Sequence, residues 1–252
     1  MRSVDEKQRA FVALHRPGAP FLLPNAWDHA SAAAFARAGF EAVGTTSLGV
    51  AAALGVPDGH AATAEATVEL ARRLTHLPTP VTIDIENGFS TDPAAVADYV
   101  DRLGDVAGVN VEDQLADPTT FAATIAALST KPVFVNARVD TYWLGRPDLA
   151  ETLERARRYE AAGADGIFVP GVTDPHDIEA LATALDAPLN VLLTHPLDTL
   201  AACGVARVST GSLLYRAALK AALDAATTGG RDVSALDYAT VDGLAAPPPP
   251  GT

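Results

Sequence analysis

The sequence predicts an α/β protein, a (β/α)8 TIM barrel with one extra N-terminal helix. Three observations predict it. Eight short apolar runs rich in Val, Ile and Leu recur along the 252 residues, and helix start or stop signals follow them. The runs are apolar on both faces, as strands of a helix-covered parallel sheet must be. The first run is not followed by the G-x-G-x-x-G turn of an open, doubly wound dinucleotide-binding sheet, which is the competing arrangement.

Taken in order, a leading helix over about 3–16 precedes the repeat. The first strand is "FLLPNAW" (21–27), and Gly39 suits the left-handed position that ends its helix. "AVGTTS" (42–47) and "VTIDIEN" (81–87) follow, the latter leading into "TDPAAVADYVDRLG". "GVNVED" (108–113) precedes "ADPTTFAATIAAL", and "PVFVNARVD" (132–140) precedes "LAETLERARRYEAAG", where Leu149, Leu153 and Ala156 recur at helical spacing. "GIFVP" (166–170) leads into "TDPHDIEALATAL", and "LNVLLTH" (189–195) comes next. "ARVSTG" (206–211) is the eighth strand, followed by "SLLYRAALKAALDAATT" with a broad stripe of Leu213, Leu214, Ala217, Ala218 and Ala221. Asp92, Asp117 and Asp174 each stand just before a proline: the acid caps orphan amides, and proline at the first helical position lacks one. Residues 1–230 are thus expected to form one barrel domain with its leading helix, and 231–252 a partly extended tail ending in the proline run of "LAAPPPPGT".

With 48% hydrophobic residues and 19% charged, the chain can bury one substantial core. The net charge of −13 and the lack of a basic run leave no electrostatic footprint for nucleic acid. No apolar stretch is long enough to span a bilayer, and the N-terminal "MRSVDEKQRAFVALH" resembles neither a signal peptide nor an anchor, so a soluble cytoplasmic protein without a membrane partner is expected. The single cysteine, Cys203, excludes an intramolecular disulfide and reads as a small core residue.

Barrel chemistry sits at the C-terminal ends of the strands, where this chain is unusually polar. Asp84 and Glu86 share a strand face, as do Asn110 and Glu112, and as do Asn136, Arg138 and Asp140. Close carboxylates repel unless a proton or cation lies between them, and an all-oxygen donor set suits Mg2+, or Mn2+ in its place. Arg138 suits bidentate binding of a substrate carboxylate. Asp113 or Asp140, taken singly, could equally cap a following helix.

The segments "DIENGF", "VNVEDQ" and "NARVD", together with "TTSLGVAAALGVPDG" (45–59), resemble the isocitrate lyase/phosphoenolpyruvate mutase superfamily, over roughly residues 20–225. The resemblance implies a Mg2+-dependent enzyme, a carbon–carbon lyase before a phosphonomutase or hydrolase, acting on a small 2-oxo or 2-hydroxy carboxylate through an enolate. It implies that Asp84 ligates the metal directly and that Glu86 and Glu112 hold metal-bound waters. Thr46 and the amides of Ser47 and Leu48 would grip the substrate carboxylate, with Arg138 on its other side, and Asp58 would lie beside the substrate. Asn136 and Trp27 are further substrate-binding candidates, and Tyr142 a wall residue, although aromatic side chains there also serve packing. Asp58, within Pro-Asp-Gly, is also ordinary turn chemistry. The superfamily exchanges its eighth helix between subunits, which implies a homo-oligomer, dimers pairing into tetramers; burial on its own barrel would equally explain the stripe.

The chain departs from the family where isocitrate and methylisocitrate lyases carry a Lys-Lys-Cys loop and phosphonopyruvate enzymes a Lys and Asn loop. Here "EDQLADPTTFAAT" is short and lacks all three residue types, which argues against isocitrate cleavage and phosphoryl mutation. His195 is the spare acid/base, or else a surface or capping residue. A Schiff-base aldolase is disfavoured because Lys7, Lys131 and Lys220 all lie away from strand C-termini. A phosphate site at "STGSLL", using Gly211 and Ser212, and a 2-oxo acid binding protein without turnover are the remaining alternatives.

Overall fold

A computed structural model describes residues 4–230 and 234–245. Its elements run α1 (Val4–Leu14), β1 (Phe21–Leu23), β2 (Asn25–Ala26), α2 (His29–Arg37), β3 (Val43–Thr45), α3 (Ser47–Leu54), α4 (Ala64–Leu74), β4 (Val81–Asp84), α5 (Pro93–Asp101) and β5 (Gly108–Glu112). They continue α6 (Pro118–Leu128), β6 (Phe134–Arg138), α7 (Leu149–Ala161), β7 (Gly166–Phe168), α8 (Pro175–Ala184), β8 (Leu189–Leu192), α9 (Leu197–Ala202), β9 (Arg207–Ser209), α10 (Leu213–Thr227) and α11 (Tyr238–Gly243). Every strand pairing is parallel, in the order β1-β9-β8-β7-β6-β5-β4-β3-β2. This is the predicted TIM barrel with one revision: eight runs make nine strand segments.

The extra segment arises at Pro24, which has no N–H to give to a ladder. It splits the first run so that β1 pairs with β9 and β2 with β3, and the two halves of one chain segment close the barrel. The Pro24 carbonyl still accepts from the Gly44 amide. Asn25 bridges the seam: its Oδ1 accepts from the amides of Thr210 and Gly211 at 3.0 and 2.9 Å, and its Nδ2 donates to the Thr45 carbonyl at 2.8 Å.

Around the strands, Asp92, Asp117 and Asp174 cap α5, α6 and α8 by accepting first-turn amides, each with proline following, as the sequence predicts. The bottom of the barrel is closed by α1, whose Phe11 packs with Phe21, Leu23, Ala42, Ala107 and Phe134 in a cluster of its own. The main core lies between the strands and the helix layer. On α7 Ala156 is buried and Leu149 and Leu153 pack partly buried against the main core, as the apolar spacing expects, and Thr152, Arg155 and Tyr159 are buried beside them.

Two features mark the C-terminal end. None of the α10 residues is buried, and Leu219 and Leu223 are 48% and 65% exposed, so its apolar stripe is not covered by its own barrel. Within the tail, Asp237 caps α11, Leu244 joins the main core, and the Leu244 and Gly243 carbonyls meet His29 and Arg37 of α2. The proline run at 247–250 lies outside the described residues.

Candidate active site

The strand C-termini surround a cavity of about 410 Å3. Thr46, Ser47, Leu48, Asp58, Asp84 and Arg138, six of the residues singled out from sequence, line it together. Thr46 is the extended N-cap residue of α3, and its side chain makes no capping bond, so the first amides of α3 are not satisfied by their own cap. The Ser47 amide donates to Asp84 Oδ2 at 3.1 Å, and the Asp84 amide donates to Thr45 Oγ1 at 2.8 Å. Asp84 is thereby held at the positive end of a helix.

Glu86 and Glu112 sit behind this front. Glu86 is 1% exposed, with φ +49°, and its carboxylate accepts from the Thr63 hydroxyl and, at 3.2 Å, from the Ala61 amide. It therefore anchors the α3–α4 loop that carries Asp58. Glu112 accepts from Gln114 Nε2 at 2.8 Å and forms an ion pair with Arg138 Nη1 at 2.5 Å. Arg138 Nε donates to Asp140 at 2.6 Å, and the Asp140 amide donates to Asp113 at 3.1 Å. Asp113 in turn accepts from Arg155 at 3.1 Å and from the Tyr159 hydroxyl at 2.7 Å. Neither Asp113 nor Asp140 caps a helix; together they brace Arg138 against α7.

Charge is unevenly distributed here. Burial, aided by the Asp84 carboxylate, pushes the Asp58 carboxyl up from its ordinary value. Burial also raises Glu86, and it raises Glu112 to about 7 against the opposing pull of Arg138, with Asp84 and Asp140 adding to the rise. Burial acts to lower the Arg138 guanidinium, but Glu112, Asp140 and Asp84 overcome it and raise its pKa. Negative charge thus exceeds positive around Asp84, and every donor is a hard oxygen, a set that suits a divalent cation of the Mg2+ type. Among the described residues no three His, Cys, Asp or Glu side chains converge as a direct ligand group. Mg2+ tolerates that, because it keeps several waters and needs only one or two carboxylates.

Other sequence candidates lie elsewhere. Trp27 is not on the cavity wall: a Cβ at Gly49 would approach Trp27 to 2.6 Å, and the indole ring meets Tyr215 edge-on, so Trp27 seats α3 and α10. Asn136 is 1% exposed and donates to Asn110 Oδ1 at 2.9 Å from behind the wall. His195 Nε2 meets the Thr173 carbonyl at 2.7 Å, joining two loops. Tyr142 donates to Asp177, and its neighbour Trp143 takes the wall position, half exposed, with Arg138 5.4 Å from its ring centre. The Gly211 amide is engaged by Asn25, which leaves the phosphate-type turn one donor short.

Sequence reasoning missed Trp143, Asn25 and Arg207 as wall residues. Arg207 carried the signal that exposed Asp84: a charged side chain inside an apolar strand.

Comparisons with known proteins agree on one family. The sequence profile of phosphoenolpyruvate phosphomutase matches residues 11–228. An uncharacterized protein of Mycobacterium tuberculosis strain H37Rv is 49% identical over 226 residues, covering 86% of this chain and 87% of that protein. Oxaloacetate decarboxylase of Ectopseudomonas mendocina is 32% identical over 244 residues, covering 87% and 83%. Phosphonopyruvate hydrolase, solved with oxalate and Mg2+, superposes with a TM-score of 0.82 at 24% identity over 94% of each chain, which shows the shared fold.

Proposed function

The chain belongs to the phosphoenolpyruvate phosphomutase family, within the isocitrate lyase/phosphoenolpyruvate mutase superfamily of lyases and mutases, and from that premise we propose that it is a Mg2+-dependent carbon–carbon lyase acting on a small 2-oxo or 2-hydroxy acid. The observation that carries this reading is the meeting of Asp84, the α3 amides and Arg138 on one cavity wall, with Asp58 on the same wall and Glu112 and Asp140 paired to Arg138 behind it.

Asp84 would hold the ion directly and Glu112 would hold its waters, while Glu86, the other water-holding candidate from the sequence, has both carboxylate oxygens engaged by Thr63 and Ala61 and supports the loop that carries Asp58. Mg2+, when bound, stabilises the negative charge that gathers on the 2-oxygen as the bond to C3 breaks. Thr46 and the Leu48 amide, at the start of α3, orient the substrate carboxylate. Arg138 takes that carboxylate with Nη2, since Nη1 and Nε are committed to Glu112 and Asp140. With a 2-oxo acid the electron pair of the C3–C4 bond passes into C2–O to give the enolate as the C4 carboxyl leaves as carbon dioxide, and a proton then returns to C3. A 2-hydroxy acid first gives up its hydroxyl proton, the C2–C3 pair passes toward the carboxylate on the C3 side, C2 is released as the 2-oxo product, and the proton again returns to C3. Asp58, at the cavity mouth with a carboxyl raised by burial, is the acid/base beside that carbon. Trp143 covers Arg138 from solvent and strengthens its contact with a carboxylate.

A binding protein without turnover is the second reading. It is favoured by the β5–α6 connection, where Gln114 and Leu115 both take positive φ and are pinned by Asp140 and Asp113, a turn too short for a proton-delivering lid. For assembly, the uncovered apolar face of α10 supports a homo-oligomer in which that helix packs on a second copy.

The test is an NMR turnover assay against oxaloacetate, phosphonopyruvate, isocitrate, 2-methylisocitrate and dimethylmalate, with Mg2+ and with EDTA. The lyase reading expects Mg2+-dependent product from a carbon–carbon substrate, lost in Asp84→Ala. Binding of a 2-oxo acid with no product from any of the five would favour the non-enzymatic reading.

A further inference from the structure

Arg207 is a cation that the proposed chemistry does not use. It lies on β9 within the barrel, 2% exposed, and it lines the same cavity as Asp84 and Arg138. One face of its guanidinium meets the Phe11 ring at 5.9 Å, the lid of the barrel bottom. Its Nε donates to Ser209 Oγ at 3.2 Å, and that hydroxyl donates to Asn190 Oδ1 at 3.0 Å. Since Asn190 and Arg207 are direct partners across β8 and β9, Ser209 locks both side chains.

The lock leaves donors unused. Arg207 Nη1 and Asn190 Nδ2 are both buried without a partner, and no carboxylate forms an ion pair with Arg207 among the described residues. A buried guanidinium lacking a counterion is costly, and here burial pulls its pKa down to about 9, opposed only by the more distant Asp84. An ordered water could fill the missing hydrogen bond but would leave the charge unbalanced. The cavity therefore has two poles: an acid-rich one around Asp84, suited to a cation, and a basic one at Arg207, suited to an anion.

We propose that Arg207, backed by Ser209 and Asn190, is a specificity-determining subsite for a second carboxylate, so that the preferred ligand is a 2-oxo or 2-hydroxy dicarboxylate rather than a monocarboxylate. The inference rests on the 2-oxo acid reading above and adds to it the far end of the ligand. One carboxylate goes to α3 and Arg138; the other goes to the unpartnered edge of Arg207, which matches a carboxylate in shape and charge.

The test compares malate with 2-hydroxybutyrate, which differ by a carboxylate in place of a methyl group, in calorimetric titrations with MgCl2. Wild type should bind malate at least tenfold more tightly, and in Arg207→Met that ratio should fall to near one. Equal affinities in wild type, or an unchanged ratio in Arg207→Met, would overturn the subsite while leaving the 2-hydroxy acid reading intact. Binding of neither ligand to wild type would overturn both. Should Arg207→Met not fold, Ser209→Ala, which frees the guanidinium, should cut the ratio at least threefold, and an unchanged ratio there counts against the subsite.

Discussion

Asp84 and Glu86 stand two residues apart at the end of β4, yet their surroundings give them different work. Asp84 opens onto the cavity beside a helix N-terminus, whereas Glu86 turns inward through a positive φ to tie the Asp58 loop down by Thr63 and Ala61. The alternation of a strand puts both carboxylates on one face, but only the bend after Asp84 separates them, and that bend has no signature in the residue types. Thr63→Val leaves a buried carboxylate short of a donor and should lower stability by about 1–3 kcal/mol in urea titrations, with Asp58-dependent activity falling in step. Trp143→Ala should raise KM roughly three- to tenfold with little change in melting temperature, because it removes a half-exposed ring from Arg138. A third residue concerns stability alone. Burial, with Arg207 adding to it, lowers His15 from 6.5 to about 3, and its Nε2 has no partner between Phe134 and Phe21. The unfolded chain therefore gains a proton near pH 6.5 that the folded chain refuses, so stability falls as pH drops through this window, by up to about 1.4 kcal/mol per unit. Urea unfolding at pH 7 and 4.5 should show a loss about 2–3 kcal/mol larger in wild type than in His15→Phe.

At the scale of elements, most helices were legible because their starts are chemically explicit: an acid followed by proline marks α5, α6 and α8. The polar part of the inward face of α7 was not. Apolar spacing pointed to Leu149, Leu153 and Ala156, which do meet the core, but Arg155 and Tyr159 also reach Asp113 across the barrel wall, and a pattern of hydrophobicity cannot register a polar anchor. That anchor holds β5, β6 and α7 in one network ending at Arg138. Tyr159→Phe should cost about 1–2 kcal/mol of stability, while Arg155→Met, which leaves the Asp113 charge unpaired, should cost about 3–5 kcal/mol. The first strand divides at Pro24 for a reason visible in sequence only after the closure is known: the missing N–H falls where the chain changes partner from β9 to β3. The helix in the tail was hidden by its neighbouring proline run.

Over the whole molecule, the barrel order followed from the repeat, and the active end followed from the acids that interrupt apolar strands. Composition alone could not decide what covers α10. An apolar stripe reads the same whether a helix packs on its own barrel or on another, and only the fold leaves it uncovered. Light scattering should give a wild-type mass of at least two chains, and Leu219→Glu with Leu223→Glu should shift it toward one. The membership of the family was legible because its motifs sit at strand ends, whereas substrate choice depends on wall residues such as Arg207 and Trp143 that no motif includes. The central claim is a metal-dependent site for 2-oxo acids at Asp84. Its most direct measurement is calorimetric titration of oxalate, a planar analogue of the pyruvate enolate, with and without Mg2+. Binding should be at least tenfold tighter with Mg2+ in wild type, with no Mg2+ effect in Asp84→Ala. Equal oxalate binding in the presence and absence of Mg2+ would contradict it.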